Sequence, residues 1–435
     1  MNNIIIFLFF LSLIYGVKQP AWALAMIIFM FPVEQLMQVS WPTIITLPIT
    51  GTKSVNYYIS LMGLFSLVGI FLKRERPILG LFNPVTSLIT TLLAWAIISI
   101  LWSRDQPTAL EMTGFGLPYY VVRILIGSLL VIEIKELERL WTSVIILGLL
   151  ICIFILTSPG FADISGRLGI AEGTKIGSNP LALGDLGAVL FLTAILFRNH
   201  NNGFKFDLVR ISAAIFGVSM VIQSGARGQV ISSAFIAILF FPLSAPIKNL
   251  KNIILGSFGS IFIIFLVPFA MSLLQDRVAE KRFSIEEMLY GASSVSVRFQ
   301  NFLLLYNEWI QNPIYMVFGL GYLTFNALRP GEIYSHVMLA DFIFELGVPG
   351  IVFLILILFI SFRSALFLFK IYSTNLVIRS SLITLFGIIA YLLFVANKQG
   401  DLWGSMPLYM YIAILGRVAY LERFNDDAEP VINNN

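Results

Sequence analysis

The sequence predicts an all-α membrane protein, a polytopic bundle of about 12–14 transmembrane helices with one long loop that carries amphipathic helices. Three observations predict it. Hydrophobic residues make up 58% of the chain and charged residues 12%, and the mean hydropathy is +0.89. Apolar runs long enough for a ~30 Å hydrocarbon core recur from end to end. The short alternating segments of a membrane β-barrel are missing. Backbone amides in lipid find partners only within the protein, so repeated apolar runs mean helices.

Taken in order, apolar runs fall at 3–17 and 21–33, followed by a mixed stretch with Trp41, Pro42, Pro48 and Gly51 that suits a loop or re-entrant segment. Further spans are expected at 57–72, 84–102, 117–132 and 140–157, then, after a polar loop at 158–178, at 179–197, 208–223, 229–243 and 252–274. The stretch 276–335 is the longest departure from hydrophobicity, and spans at 336–360, 376–396 and 405–421 follow it. The organisation is an N-terminal helical set at 1–157, a core at 158–361 that includes the 276–335 loop, C-terminal helices at 362–424 and a disordered tail at 425–435. Lysine and arginine cluster at Lys73–Arg76, Lys135–Arg139, Arg198–Arg210, Lys248–Lys251 and Arg363–Arg379. Placing these in the cytoplasm puts loops 158–178, 224–228 and 276–335 together on the opposite face. The first run lacks a small-residue cleavage pattern, so it is expected to be a retained helix.

Composition also narrows the chemistry. One cysteine, Cys152, and two histidines, His200 and His336, leave no cluster for a transition metal, so no metal and no cofactor are expected. The net charge of +4 is what cytoplasmic anchoring loops produce and gives no reason to expect nucleic acid. There is no Walker-type phosphate loop. No inverted pair of broken helices marks a secondary transporter.

The candidate site residues are polar groups beside apolar runs. Arg227 sits in the tight turn Ser224-Gly225-Ala226-Arg227-Gly228-Gln229, where its planar fork suits a phosphate or carboxylate. A turn arginine snorkelling to lipid headgroups is the plainer reading. Arg298 opens an expected helix in which Phe299, Phe302, Leu303, Tyr306 and Ile310 recur at helical spacing, and a helix N-terminus favours anions. A surface arginine in a structured loop is the alternative. His336 stands where the long loop meets the next span, with Asp341 and Glu345 behind it, and carboxylates so close to an apolar run are costly unless paired or functional. Arg123 lies inside an apolar run, facing a cavity or pairing with Glu111 or Asp185. Arg167 and Lys175 extend a basic rim, and His200 reads as plain loop.

Several short motifs in order carry a resemblance. They are Arg167-Leu168-Gly169 with Gly177-Ser178-Asn179-Pro180-Leu181-Ala182, the Ser224–Gly228 turn, and Arg298, Trp309, Asn312-Pro313 and Gly319-Leu320-Gly321, then His336 to Gly350. Together they resemble the O-antigen ligase/polymerase family of bacterial envelope proteins. The family often has asparagine after the histidine, where this chain has Val337, and S-R-G where it has Ala226-Arg227-Gly228. The resemblance implies metal-independent glycosyl transfer from a sugar linked to undecaprenyl diphosphate, on the outer side of the bacterial inner membrane. In that reading Arg227 and Arg298, with Arg123 and Arg167, bind the diphosphate, while His336 activates the attacking hydroxyl and Glu345 is the reserve base. Its partners are the undecaprenyl-linked oligosaccharide, membrane lipid and a polysaccharide chain-length regulator. Polymerase is favoured over ligase, and a lipid-linked oligosaccharide flippase or a membrane scaffold are the readings from other classes.

Overall fold

A computed structural model describes residues 1–42, 54–73, 78–164, 167–172, 175–176, 179–198, 203–244 and 293–428. The expected span 252–274, the start of the long loop at 276–292 and His200 lie outside the described residues. Eight described helices are long and apolar enough to cross a membrane, or nine if a bent pair forms one span. The chain is a multi-pass α-helical membrane protein.

It divides into two compact units. The first comprises Met1–Pro77, Leu130–Tyr290 and Tyr372–Tyr391. Its helices include Asn2–Lys18, Ser54–Phe71, Glu136–Thr157, Pro180–Leu196, Gly203–Gln223 and Arg227–Ser244. The apolar run expected at 21–33 is a broken element, Pro20–Ile28 followed by Met30–Ser40 at 75°. Gly187 and Gly217 bring two helices into backbone contact: a Cβ on Gly187 would stand 2.5 Å from the Gly217 carbonyl oxygen. Small residues at a crossing are how membrane helices gain packing energy where burial from water is unavailable. Trp141 Nε1 donates to the Ser381 carbonyl (3.0 Å), and Tyr391 Oη and Gln229 Nε2 both donate to Asp185 Oδ1 (2.7 and 2.6 Å).

One expectation in this unit is corrected. The polar loop at 158–178 contains an antiparallel ribbon, β1 (Phe161–Ile164), β2 (Arg167–Glu172) and β3 (Lys175–Ile176), in that order. Phe161, Leu168 and Ile170 are buried, so apolar residues too few for a span still supply a packed strand face.

The second unit comprises Ile78–Leu129, Gly291–Ile371 and Leu392–Asn435. Buried Asn83 caps Pro84–Ser99 by accepting from the Val85 and Thr86 amides, and Asp105 caps the next helix through Thr108. That second span, Gln106–Leu129, starts well before the expected 117, because the cap and Pro107 begin a helix the polar composition hid. The span expected at 336–360 is Gly347–Ile371. Met338–Ala340 and Asp341–Glu345 form a separate short helical element instead, and Gly347, at φ +66°, marks its boundary with the span. The last helix, Met406–Ala428, runs into the segment expected to be disordered, and 429–435 lie outside the described residues.

Candidate functional site

The site begins with helix Ser293–Trp309, in the described part of the long loop. Leu305 is fully buried in a cluster with Leu320, Phe325, Ala340 and Phe344. The Phe302 and Trp309 rings meet Phe344 edge-on, with centroids 4.9 and 5.5 Å away. The amphipathic pattern thus splits. Phe302 packs inward, while Phe299, Leu303, Tyr306 and Ile310 stay exposed, Phe299 at 61%.

Three glycines fix what lies beneath this helix. Gly319, Gly321 and Gly347 all have φ between +66° and +93°, the left-handed region that L side chains avoid. Leu320 N donates to the Phe344 carbonyl (2.8 Å) and Gly321 N to the Glu345 carbonyl (2.9 Å). A Cβ on Gly319 would lie 2.1 Å from the Glu345 oxygen, and one on Gly347 would lie 2.4 Å from Gly319 N. The Gly-x-Gly and Glu-x-Gly motifs are therefore two backbones in direct contact. Trp95 Nε1 donates to the Leu346 carbonyl and Trp102 Nε1 to that of Gly319 (3.0 and 3.2 Å), which anchors the joint to Pro84–Trp102.

This joint sets the carboxylates. Glu345 is 1% exposed, and its two oxygens accept the Leu323 and Phe325 amides at 2.9 and 3.0 Å. It holds the first turn of Thr324–Leu328, with Leu323 at φ +58°. Asp341, also buried, accepts from Ser335 Oγ (2.8 Å), and that same oxygen accepts from Val337 N (3.1 Å). Buried Asn301 donates to the Ser335 carbonyl (3.3 Å) and accepts from Arg329. Arg329 in turn pairs with Glu332 (3.0 Å). The turn carrying His336 is thus held from both sides.

His336 itself has φ +64°, one of two described non-glycine residues at positive φ. Such a backbone persists where its surroundings enforce it, and it recurs at functional positions. The ring is half-buried and stands edge-on to Tyr334, with centroids 4.5 Å apart. Burial, then the Arg298 charge, lower its pKa, and Glu332 opposes them. The shift favours the neutral imidazole, whose lone pair accepts a proton. Burial lowers the Arg298 guanidinium without removing its charge, and raises the Tyr334 phenol so that it keeps its proton. A cation and a neutral base therefore act within electrostatic reach of each other, which is what removal of a hydroxyl proton beside a departing anion requires.

Of the sequence-predicted residues, the second unit contains Arg298, His336, Glu345 and Arg123, and the first contains Arg227 and Arg167. Arg123 is 2% exposed within a π-helical stretch, Tyr120–Ile126. Arg227 is half-buried as the first residue of Arg227–Ser244, two residues after Gly225 at φ +65°, so the expected tight turn is present. Behind that turn Gln229 Nε2 donates to the Leu181 carbonyl (3.0 Å), and a Cβ on Gly184 would meet Gln229 Oε1 at 1.8 Å. The Asn-Pro segment and the Ala-Arg-Gly turn therefore pack together. Arg167 is half-buried in β2, opposite Ile164.

Asn301, Ser335 and Tyr334 were missed from sequence. Asn301 follows Arg298 by three residues, one helical turn along the same face, and that spacing was the available signal. Among the described residues, no three of His, Cys, Asp and Glu are grouped to hold a metal ion. No family model and no curated protein matches this chain.

Proposed function

We propose that this protein polymerises undecaprenyl-diphosphate-linked oligosaccharide repeat units, for O-antigen, capsule or exopolysaccharide, at the outer face of the bacterial inner membrane. The observation that carries the reading is His336, at a left-handed turn where burial and the Arg298 charge lower its pKa. An acceptor hydroxyl attacks the anomeric carbon of the donor sugar, its proton passes to the His336 imidazole, and the bond to the diphosphate breaks. Diphosphate is already a good leaving group, so a fixed cation at its oxygens supplies much of the remaining help. Glu345 is the weaker base, because both its oxygens already accept backbone amides. We assign it to holding the joint. The proposal rests on residues of the second unit. The role that the resemblance implies for Arg227 is tested by substitution.

The sequence resemblance supports ligation of finished polysaccharide to lipid A core as the second reading, since both reactions release the same diphosphate. A gene deletion complemented with wild type, Arg227→Ala, Arg298→Ala or His336→Ala, with surface polysaccharide run on a gel, separates them. Loss of the long-chain ladder with one repeat unit still on core means polymerase. Bare core with polymer stranded on the carrier means ligase. Full rescue by all three variants sinks the catalytic assignment and returns the flippase and scaffold readings. A chain-length regulator is the expected protein partner, read out as altered ladder lengths.

A further inference from the structure

The first unit contains a cavity of about 360 Å³ that the catalytic reading does not use. It lies where Asn2–Lys18, the bent pair Pro20–Ile28 and Met30–Ser40, and Glu136–Thr157 meet. Phe9, Trp22, Met26, Leu36 and Leu147 are among its walls. The mouth is marked by wall residues that are also exposed, Leu11 and Tyr15 at 49% and Leu150 at 39%.

Water is a poor occupant. A buried water needs two to four polar partners, and beyond the Ser12 and Tyr15 hydroxyls and the Trp22 indole the lining side chains offer none. An empty space this large would forfeit the dispersion contacts of every side chain around it. Glu136–Thr157 is a membrane span by length and composition, so the mouth opens among hydrocarbon tails at high concentration. Size agrees as well. A cavity of about 150 Å³ takes one benzene, so this one takes a chain of roughly a dozen carbons. Among the tails of a bilayer, phospholipid acyl chains are the most abundant of that length.

We infer that this cavity binds one acyl chain of a bilayer phospholipid as a resident lipid. The bent helix pair then packs on that chain as it would on a side chain. The inference stands apart from the glycosyl-transfer reading, because it concerns different residues and a different ligand.

The test uses the full-length protein reconstituted in phosphatidylglycerol bilayers whose acyl chains carry bromine, a short-range quencher of tryptophan. After detergent extraction and washing, native mass spectrometry is expected to find one brominated phospholipid per chain. Leu36→Phe with Leu147→Phe, which fill the cavity, should lower that occupancy at least tenfold. If the filled variant does not fold, the emission lost on replacing Trp22 with Phe decides. That component should be strongly quenched in brominated and bright in ordinary lipid. No retained lipid, equal retention in the filled variant, a retained prenyl lipid, a second protein copy in its place, or unquenched Trp22 emission would each overturn the inference.

Discussion

Replacing Glu345 separates a structural clamp from a catalytic base. Glu345→Ala leaves the Leu323 and Phe325 amides buried without acceptors. Each such orphan costs about 1–3 kcal/mol, so the variant should lose about 2–6 kcal/mol. Glu345→Gln keeps one acceptor oxygen and should lose roughly half of that. The assay is unfolding of purified protein in mixed detergent micelles, run beside polymer synthesis at a temperature where each variant remains folded. A clamp predicts that Glu345→Gln keeps most activity per folded molecule while its midpoint falls. A general base predicts the reverse, a rate loss of about 10²–10⁴ with little change in stability. Wild-type stability in Glu345→Ala would refute the clamp.

The lowered His336 pKa gives a signed pH dependence. The acid limb of kcat/KM should lie below the ordinary histidine value of about 6.5. Arg298→Ala removes one of the two lowering causes and should move the limb upward. Arg298→Lys should leave it, and Glu332→Gln should move it down. Because the folded protein disfavours the imidazolium, its stability should fall as pH drops below about 6.5, and the slope of midpoint against pH reads this directly. Gly321→Ala adds a Cβ 2.6 Å from Ser103 Cα at φ +93° and should cost about 2–6 kcal/mol. Gly331→Ala, at φ +97° with nothing within 4 Å, should cost only the backbone strain of about 1–2 kcal/mol. Equal midpoints for the two variants would contradict the close backbone approach at Gly321. Ser335→Ala removes the hydroxyl that joins Asp341 to Val337 N and should lower kcat more than KM changes, with rescue by Ser335→Thr.

Spans such as 376–396 and 229–243 were legible because each needs only an apolar run of sufficient length, and they fall on helices Leu376–Gln399 and Arg227–Ser244. The runs expected at 3–17 and 179–197 fall instead on the shorter apolar helices Asn2–Lys18 and Pro180–Leu196. Where length and polarity pulled apart, the reading slipped. Val337 to Phe344 is apolar enough to pass as membrane, yet Asp341 and Glu345 are spent on local hydrogen bonds and Gly347 separates the segment from the span. The ribbon at β1–β3 went unseen because strands this short carry little periodic signal. His336 and Arg298 stood out as rare types in telling places. Asn301 did not, since a lone asparagine in a polar loop looks ordinary until its buried contacts are known.

We propose that His336, its pKa lowered by burial and by the Arg298 charge, drives glycosyl transfer from a diphosphate carrier. The most direct measurement incubates purified protein in lipid vesicles with a synthetic undecaprenyl-diphosphate-linked repeat unit, and counts both polymer and released undecaprenyl diphosphate. The account predicts one diphosphate released per linkage formed, with turnover reduced at least 10²-fold in His336→Ala and in Arg298→Ala. Polymer formation at the wild-type rate in both variants, or none by the folded wild-type protein, would contradict it.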